Sequence, residues 1–121
     1  MRNLIMISST SHLNNMGDEF YSILKLVSGE EIFALVCVDE SNDEPILILH
    51  NPIKMKTLTQ MNHLNYVKVT PWIENTEEDM FVLKMDKVIT MIECHDQKLI
   101  KIYKQYIDEK DEEEDVVIKS R

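Results

Sequence analysis

Seven consecutive apolar residues at positions 32–38, Ile-Phe-Ala-Leu-Val-Cys-Val, constrain the fold of this chain more than any other feature. Successive side chains of a β-strand point to opposite faces, so an unbroken apolar run predicts a strand that is buried on both sides. With 121 residues, the chain is long enough to form one domain with its own core. Other elements of the fold must therefore pack against both faces of this strand.

Five strands are predicted in total, because short runs rich in Val, Ile, Leu and Phe are typical of partly buried pleated backbone. Gly29 supplies the first turn, since glycine tolerates a positive φ. Pro52 cannot donate to a strand ladder and disfavours helical backbone at Asn51, which predicts a sharp bend in the third strand and a sheet that curls toward an open barrel. The predicted strands cover residues 21–27, 32–38, 45–58, 64–72, and 80–83 joined to 88–94 through a turn over residues 84–87.

A single helix is predicted after the sheet, with Asp96 as its cap. Residues 108–115 are almost wholly charged, which predicts a disordered acidic tail over residues 109–121. The domain would then span residues 21–108. Apolar side chains recur at helical spacing at Leu99, Ile102, Tyr103, Tyr106 and Ile107.

The first twenty residues are polar and rich in Ser and Asn, so residues 1–20 are predicted to form a flexible arm. Their one apolar run, residues 4–7, is too short for a signal-peptide core or a membrane span. Met16 would itself make a plausible start, in which case residues 1–15 are an extension upstream of it.

Composition excludes several classes of function. The two glycines stand far apart, at positions 17 and 29, so the chain contains neither a Walker loop nor a dinucleotide fingerprint. With 22 acidic and 13 basic residues the net charge is -9, which disfavours indiscriminate nucleic-acid binding but leaves local basic patches open.

Metal binding and catalysis find little support. Cys94 and His95 are adjacent on a predicted strand and point to opposite faces, so they are poorly placed to chelate one ion together with Cys37. We expect buried cysteines, a surface histidine, no metal and no cofactor.

Two cysteines do not form the disulfide framework that is typical of small secreted proteins, which favours a reducing cytoplasm. No nucleophile motif is present and paired acids cluster in turns, so the chain is not predicted to be an enzyme.

Basic residues gather on two predicted strands. Lys54 and Lys56 lie on one and Lys68 on the next, with Tyr66 and Trp72 interleaved. If these strands are neighbours, their surface could hold single-stranded nucleic acid by phosphate contact and base stacking. An ordinary solvated sheet face would have the same composition, and this alternative stays open.

Three segments of the chain resemble the Sm-like family, and most closely the small Sm-like proteins of marine cyanophage-type viruses. The first is residues 23–32, Ile-Leu-Lys-Leu-Val-Ser-Gly-Glu-Glu-Ile; the second is the Asn51-Pro52-Ile53 bend; the third is the strand at residues 87–91, Lys-Val-Ile-Thr-Met, followed by a helix with Leu99 and Tyr103. The resemblance covers residues 21 to about 107.

The resemblance implies a mainly β fold, a strongly bent five-stranded Sm-like (SH3-type) open barrel with a C-terminal helix. It also implies a homo-oligomeric ring of about five to seven subunits, in which the fourth and fifth strands pair with neighbouring subunits. Oligomerisation is also expected without the resemblance, because a small open sheet leaves two edges with unpaired backbone groups that a neighbouring subunit can pair.

The chain departs from the family pattern where the family holds bases. Typical members place an Asp and an Asn a few residues apart, whereas Asp39 and Asn51 are twelve apart here. The late Arg-Gly pair is replaced by Met-Asp-Lys at residues 85–87. No family base-binding residue is therefore transferred, and the candidate RNA contacts are Lys54, Lys56, Tyr66, Lys68 and Lys87.

Two functions are consistent with these observations. The family resemblance favours a ring that binds single-stranded RNA in RNA processing or regulation, in the cytoplasm, which is the host's if the protein is viral. The net charge favours an oligomeric module for protein interaction or assembly that binds no nucleic acid.

Overall fold

The computed structural model describes residues 18–41, 43–59 and 65–120. The predicted arm over residues 1–20 and the start at Met16 therefore lie almost wholly outside the described residues, as does the predicted strand start at Leu64. Within these residues, six strands and one helix follow one another: β1 (Phe20–Leu26), β2 (Glu31–Asp39), β3 (Ile46–Thr59), β4 (Asn65–Pro71), β5 (Met80–Lys84), β6 (Val88–Glu93) and α1 (Gln97–Ser120).

The strands form one antiparallel sheet in the order β4-β3-β2-β1-β6, with β5 also paired to β3. The prediction of a mainly β, bent, open sheet with a C-terminal helix is confirmed. The prediction of five strands is wrong by one, because a 3-10 turn at Met85–Lys87 separates the last predicted strand into two. Its halves have different partners: β5 pairs with β3 and β6 pairs with β1.

The turn between β1 and β2 forms as the sequence predicts. Gly29 has a φ of 97°, the left-handed region that glycine adopts at no steric cost. Its N–H donates to the Leu26 carbonyl at 2.8 Å, and the Leu26 N–H donates to the Glu30 carbonyl at 2.8 Å. The indole Nε1 of Trp72 donates to the Glu30 carboxylate at 3.2 Å, which ties this turn to the end of β4.

The predicted bend in β3 is also confirmed. Asn51 has a φ of 47°, and asparagine is one of the few residues other than glycine that tolerate this region. The register between β2 and β3 shifts at the same place, between Phe33 and Leu35. The Asn51 N–H donates to the Asp79 carbonyl at 2.7 Å, so the backbone that leaves the ladder here keeps a partner.

Two cores lie on opposite faces of the sheet, and β2 contributes to both. Ile32, Ala34 and Val36 point into the first core, which the bent sheet encloses, while Phe33 and Leu35 point into the second, which α1 covers. The apolar run of β2 is thus buried on both sides, as predicted. The other buried members of the first core are Leu24, Leu26, Leu47, Leu49 and Leu83, and those of the second are Ile53, Cys94, Ile100 and Tyr103.

The helix begins where the sequence predicts. The Asp96 carboxylate accepts a hydrogen bond from the Lys98 N–H at 2.9 Å, which is the expected cap. The helix continues to Ser120, so the backbone of residues 109–120 is helical where the sequence predicted a disordered tail. Glu and Lys are good helix formers, and extending a helix that is already nucleated costs little, whereas the charge run by itself indicates only exposure to solvent.

Tyr103 connects the helix to the irregular part of the sheet. Its side chain is 2% exposed, and its hydroxyl donates to the His50 carbonyl and accepts from the Leu35 N–H at 3.3 Å. Leu35 and His50 stand opposite each other across β2 and β3, beside the register shift. The hydroxyl therefore bridges two backbone groups at the point where the strand ladder is irregular.

Replacing this hydroxyl should destabilise the fold. We expect Tyr103→Phe to lower the free energy of unfolding by about 1–3 kcal/mol, because the Leu35 N–H and the His50 carbonyl lose a buried partner. Urea denaturation measures the change. Tyr66→Phe is the matched control, since the Tyr66 side chain is exposed and should tolerate the change within about 0.5 kcal/mol. Equal effects at the two positions would contradict the bridging role.

The same variant should alter the response to alkaline pH. Burial raises the pKa of the Tyr103 hydroxyl above its ordinary value. The unfolded chain releases this proton near pH 10 while the folded chain keeps it, so the Tyr103 contribution to stability falls as pH rises above about 10. We expect Tyr103→Phe to lose less stability than wild type over that range, in denaturation measured at stepped pH.

Candidate nucleic-acid interface

The candidate lysines gather on one face of the hairpin formed by β3 and β4. Lys56 and Lys68 stand directly opposite each other, and Lys54 stands opposite Thr70. Residues two apart on a strand share a face, so these three lysines and Tyr66, which is opposite Leu58, lie on the same side of the hairpin. We call this surface the lysine face. The expectation that the two strands are neighbours is confirmed.

The lysine face concentrates positive charge in a chain that is acidic overall. Lys56 and Lys68 are exposed, and within the described part of the chain no carboxylate lies within 4 Å of the Lys54, Lys56 or Lys68 amines. Like charges directly opposite each other on a sheet repel. An anion placed between them would relieve that repulsion, so the arrangement suits a phosphate chain.

The two aromatic candidates have different environments. The Tyr66 side chain is 46% exposed and can present a ring face to a base. Trp72 instead packs against the first core, with its ring 6.1 Å from that of Phe81 and its Nε1 bonded to Glu30. Trp72 therefore stabilises the end of the hairpin, and the idea that it shares in base stacking is not supported.

Lys87 lies apart from the other candidates. It ends the 3-10 turn before β6, and its carbonyl accepts a hydrogen bond from the Val27 N–H at 2.9 Å. Its side chain is exposed, but it belongs neither to β3 nor to β4. The structure brings together Lys54, Lys56, Tyr66 and Lys68, and leaves Lys87 beside the turn between β1 and β2.

A groove of about 460 Å³ runs between β4 and α1, on the opposite face of β4 from the lysines. Its strand wall contains Tyr66, Val67 and Val69, and the helix contributes Gln105 and Tyr106. Sequence reasoning placed Tyr106 on the apolar face of the predicted helix and gave Gln105 no role. The helical spacing of 102, 105, 106 and 109 could have shown that these residues share a face, but the position of β4 opposite them depends on tertiary packing.

The sheet leaves strand edges unpaired. Among the described residues, β5 pairs only with β3 and β6 pairs only with β1, so each presents a free row of backbone groups. Apolar side chains are exposed on both strands, including Val82 at 64% on β5 and Ile89 at 63% on β6. Unpaired edges with exposed apolar side chains are typical sites for strand addition.

The cysteine and histidine side chains are placed as predicted. Cys37 and Cys94 are buried, while His95 is exposed, with its Nε2 3.7 Å from the Glu93 carboxylate. In the described ranges, no group of three His, Cys, Asp or Glu side chains is placed to hold a metal ion. None of the helical segments described is both long and apolar enough to cross a membrane.

The family model of the Sm-like domain matches residues 23–104, about two thirds of the chain, from β1 into α1. A search of curated proteins found no match.

Reversing one charge on the lysine face should stabilise the free protein. We expect Lys68→Glu to raise the free energy of unfolding by about 0.5 kcal/mol at low ionic strength, because it replaces a repulsive pair with an attractive one opposite Lys56. High salt should remove most of the gain. Chemical denaturation at two salt concentrations measures both.

Lys25→Glu provides a control of opposite sign. Lys25 stands opposite Glu31 across β1 and β2, so the same substitution creates a repulsive pair there and should lower stability. A Lys68→Glu variant no more stable than wild type at low salt would show that Lys56 and Lys68 do not repel each other appreciably.

Proposed function

The chain belongs to the Sm-like family, and from this premise we propose that it forms a homo-oligomeric ring that binds single-stranded RNA and catalyses no reaction. Sm-like proteins generally form rings and can bind RNA. The ring would contain about five to seven copies related by closed symmetry. The observation that carries the proposal is the free outer edge of each of β5 and β6, which lie at separate positions of one sheet.

Assembly through these strands would satisfy both edges at once. When the β5 edge of one copy pairs with the β6 edge of the next, the interface is head-to-tail, and both edges are paired in every copy only if the ring closes. The outer edge of β4, which pairs only with β3 among the described strands, lies outside this interface. Val82 and Ile89 are among the most exposed apolar side chains described, and such pairing would remove them from water.

The lysine face supplies the proposed RNA contact. Its three amines would lie along a phosphate chain, while Tyr66 would stack on a base. A ring would present one lysine face per subunit to the same RNA strand. Once one subunit holds the strand, the other subunits bind it at a high effective concentration, which raises the overall affinity. Local positive charge is needed for this, since the chain as a whole carries -9 and repels nucleic acid at long range.

The net charge supports a second candidate, a ring that assembles other proteins and binds no nucleic acid. On either function, the helix that follows the sheet supports closeness to the small Sm-like proteins of marine cyanophage-type viruses. Cys37 and Cys94 are both buried and form no disulfide, which supports a reducing compartment such as the host cytoplasm.

A native mass spectrum of protein purified at low salt without nuclease tests both parts of the proposal. A closed ring carrying extra mass that nuclease removes is the expected result. A bare ring would favour the protein-assembly candidate, and a monomer would contradict ring formation itself.

Variants at the strand edges should control assembly. We expect the double substitution of Val82→Lys and Ile89→Lys to yield a monomer, because strand pairing would bury two added charges. Ile73→Lys is the matched control, since Ile73 is also exposed but lies outside the strands, and it should leave the ring intact. Analytical ultracentrifugation distinguishes the outcomes. An intact ring in the double variant would exclude these edges as the interface.

Variants on the lysine face should control RNA binding. Replacing Lys54, Lys56 and Lys68 with Gln should weaken binding and reduce the slope of log K against log salt by about 0.7 for each phosphate that the protein no longer neutralises. The control replaces Lys25, Lys98 and Lys101 with Gln, which changes the charge equally at exposed sites elsewhere. Fluorescence anisotropy with labelled RNA measures both. Equal reductions in affinity in the two variants would indicate that total charge, and not this face, determines binding.

A further inference from the structure

We propose that the groove between β4 and α1 holds an unpaired RNA base that carries an exocyclic amino group, and that it discriminates against bases that lack one. The inference rests on the proposed function, because it assumes that RNA lies on the lysine face, across the outer edge of β4 from the groove. It adds a site that reads the edge of a base to a surface otherwise expected to contact phosphates and to stack a base on Tyr66.

The groove has the size and lining that a base requires. Its volume of about 460 Å³ lies within the range of small-molecule sites, and Val67 and Val69 give it an apolar floor. The Tyr66 and Tyr106 side chains line it from the strand and the helix. Bases in single-stranded RNA are commonly recognised by stacking on such rings and by hydrogen bonds to their edges.

The polar groups of the groove favour a hydrogen-bond donor. The Gln105 Nε2 donates to the Glu109 Oε2 at 3.0 Å, and both side chains line the groove. This bond uses one of the two Gln105 amide N–H groups, so the Gln105 carbonyl and the second Glu109 oxygen remain as acceptors beside a single N–H. An amino group, as on adenine or cytosine, can donate to these acceptors, whereas the carbonyl at the same position of uracil would face the Glu109 carboxylate and could use only the one remaining N–H.

Tyr66 joins the groove to the lysine face. By its strand register it shares a face with Lys56 and Lys68, and its side chain also lines the groove. Glu109 repels phosphate, so the two surfaces favour one orientation of the strand. The backbone would follow the lysines and the base would turn past Tyr66 into the groove.

Two RNAs that differ only in the amino group test the inference directly. Short oligoadenosine is compared with an oligomer in which purine riboside replaces every adenosine, because purine riboside keeps the stacking ring and loses only the amino group. Anisotropy titrations on the intact ring should show oligoadenosine binding at least about fivefold more tightly. Gln105→Leu should bring this ratio close to one.

The matched control is Gln97→Leu, which makes the same change on the first turn of α1, outside the groove. It should keep the wild-type ratio, and circular dichroism should show equal helix content in both variants.

The outcomes separate this inference from the function on which it rests. If both RNAs bind equally and their binding depends on Lys54, Lys56 and Lys68, the groove reads no amino group and the proposed RNA function stands. If neither RNA binds, both proposals are overturned. A preference for oligoadenosine that survives Gln105→Leu would also overturn the groove as its source.

Discussion

The bend of β3 at Asn51 is the constraint on which the rest of the molecule depends, and the Tyr103 hydroxyl is the interaction that secures it. A strand that leaves its ladder exposes backbone groups that no longer have a strand partner, and such groups are costly when buried. Here Asn51 adopts the left-handed conformation, and Tyr103 bridges the Leu35 N–H and the His50 carbonyl beside it. Because Tyr103 belongs to α1, the sheet and the helix are stabilised together.

The bend also decides which side chains face solvent. Before the bend, the odd-numbered residues Leu47 and Leu49 point into the first core. After it, the odd-numbered residue Ile53 points into the second core, so the alternation of side chains between the two faces has shifted by one residue. A shift of one residue reverses every side chain beyond it. Lys54 and Lys56 therefore lie on the side of the hairpin away from the helix, while Met55 packs beneath the helix. The lysine face is thus a geometric consequence of the irregularity at Asn51.

Much of this fold could be predicted from local sequence because the decisive signals are local. The apolar run of β2, the turn at Gly29 and the bend before Pro52 each follow from the chemistry of one or two residues. The separation of β5 from β6 could not be predicted, since it depends on their pairing with different distant strands. The same holds for Trp72, whose surroundings are set by Phe81 and Glu30, and for Gln105, whose neighbours on β4 are remote in sequence.

The position of the helix after the sheet has a consequence for synthesis. The ribosome completes all six strands before it adds α1, so Phe33 and Ile53 have no cover while the sheet emerges. Until the helix is added, the residues of the second core that lie on the sheet are exposed to solvent. The Leu35 N–H and the His50 carbonyl also lack their Tyr103 partner during this time. The second core is completed only after Tyr103 has left the exit tunnel, so the sheet forms before the hydroxyl that bridges β2 and β3 is available.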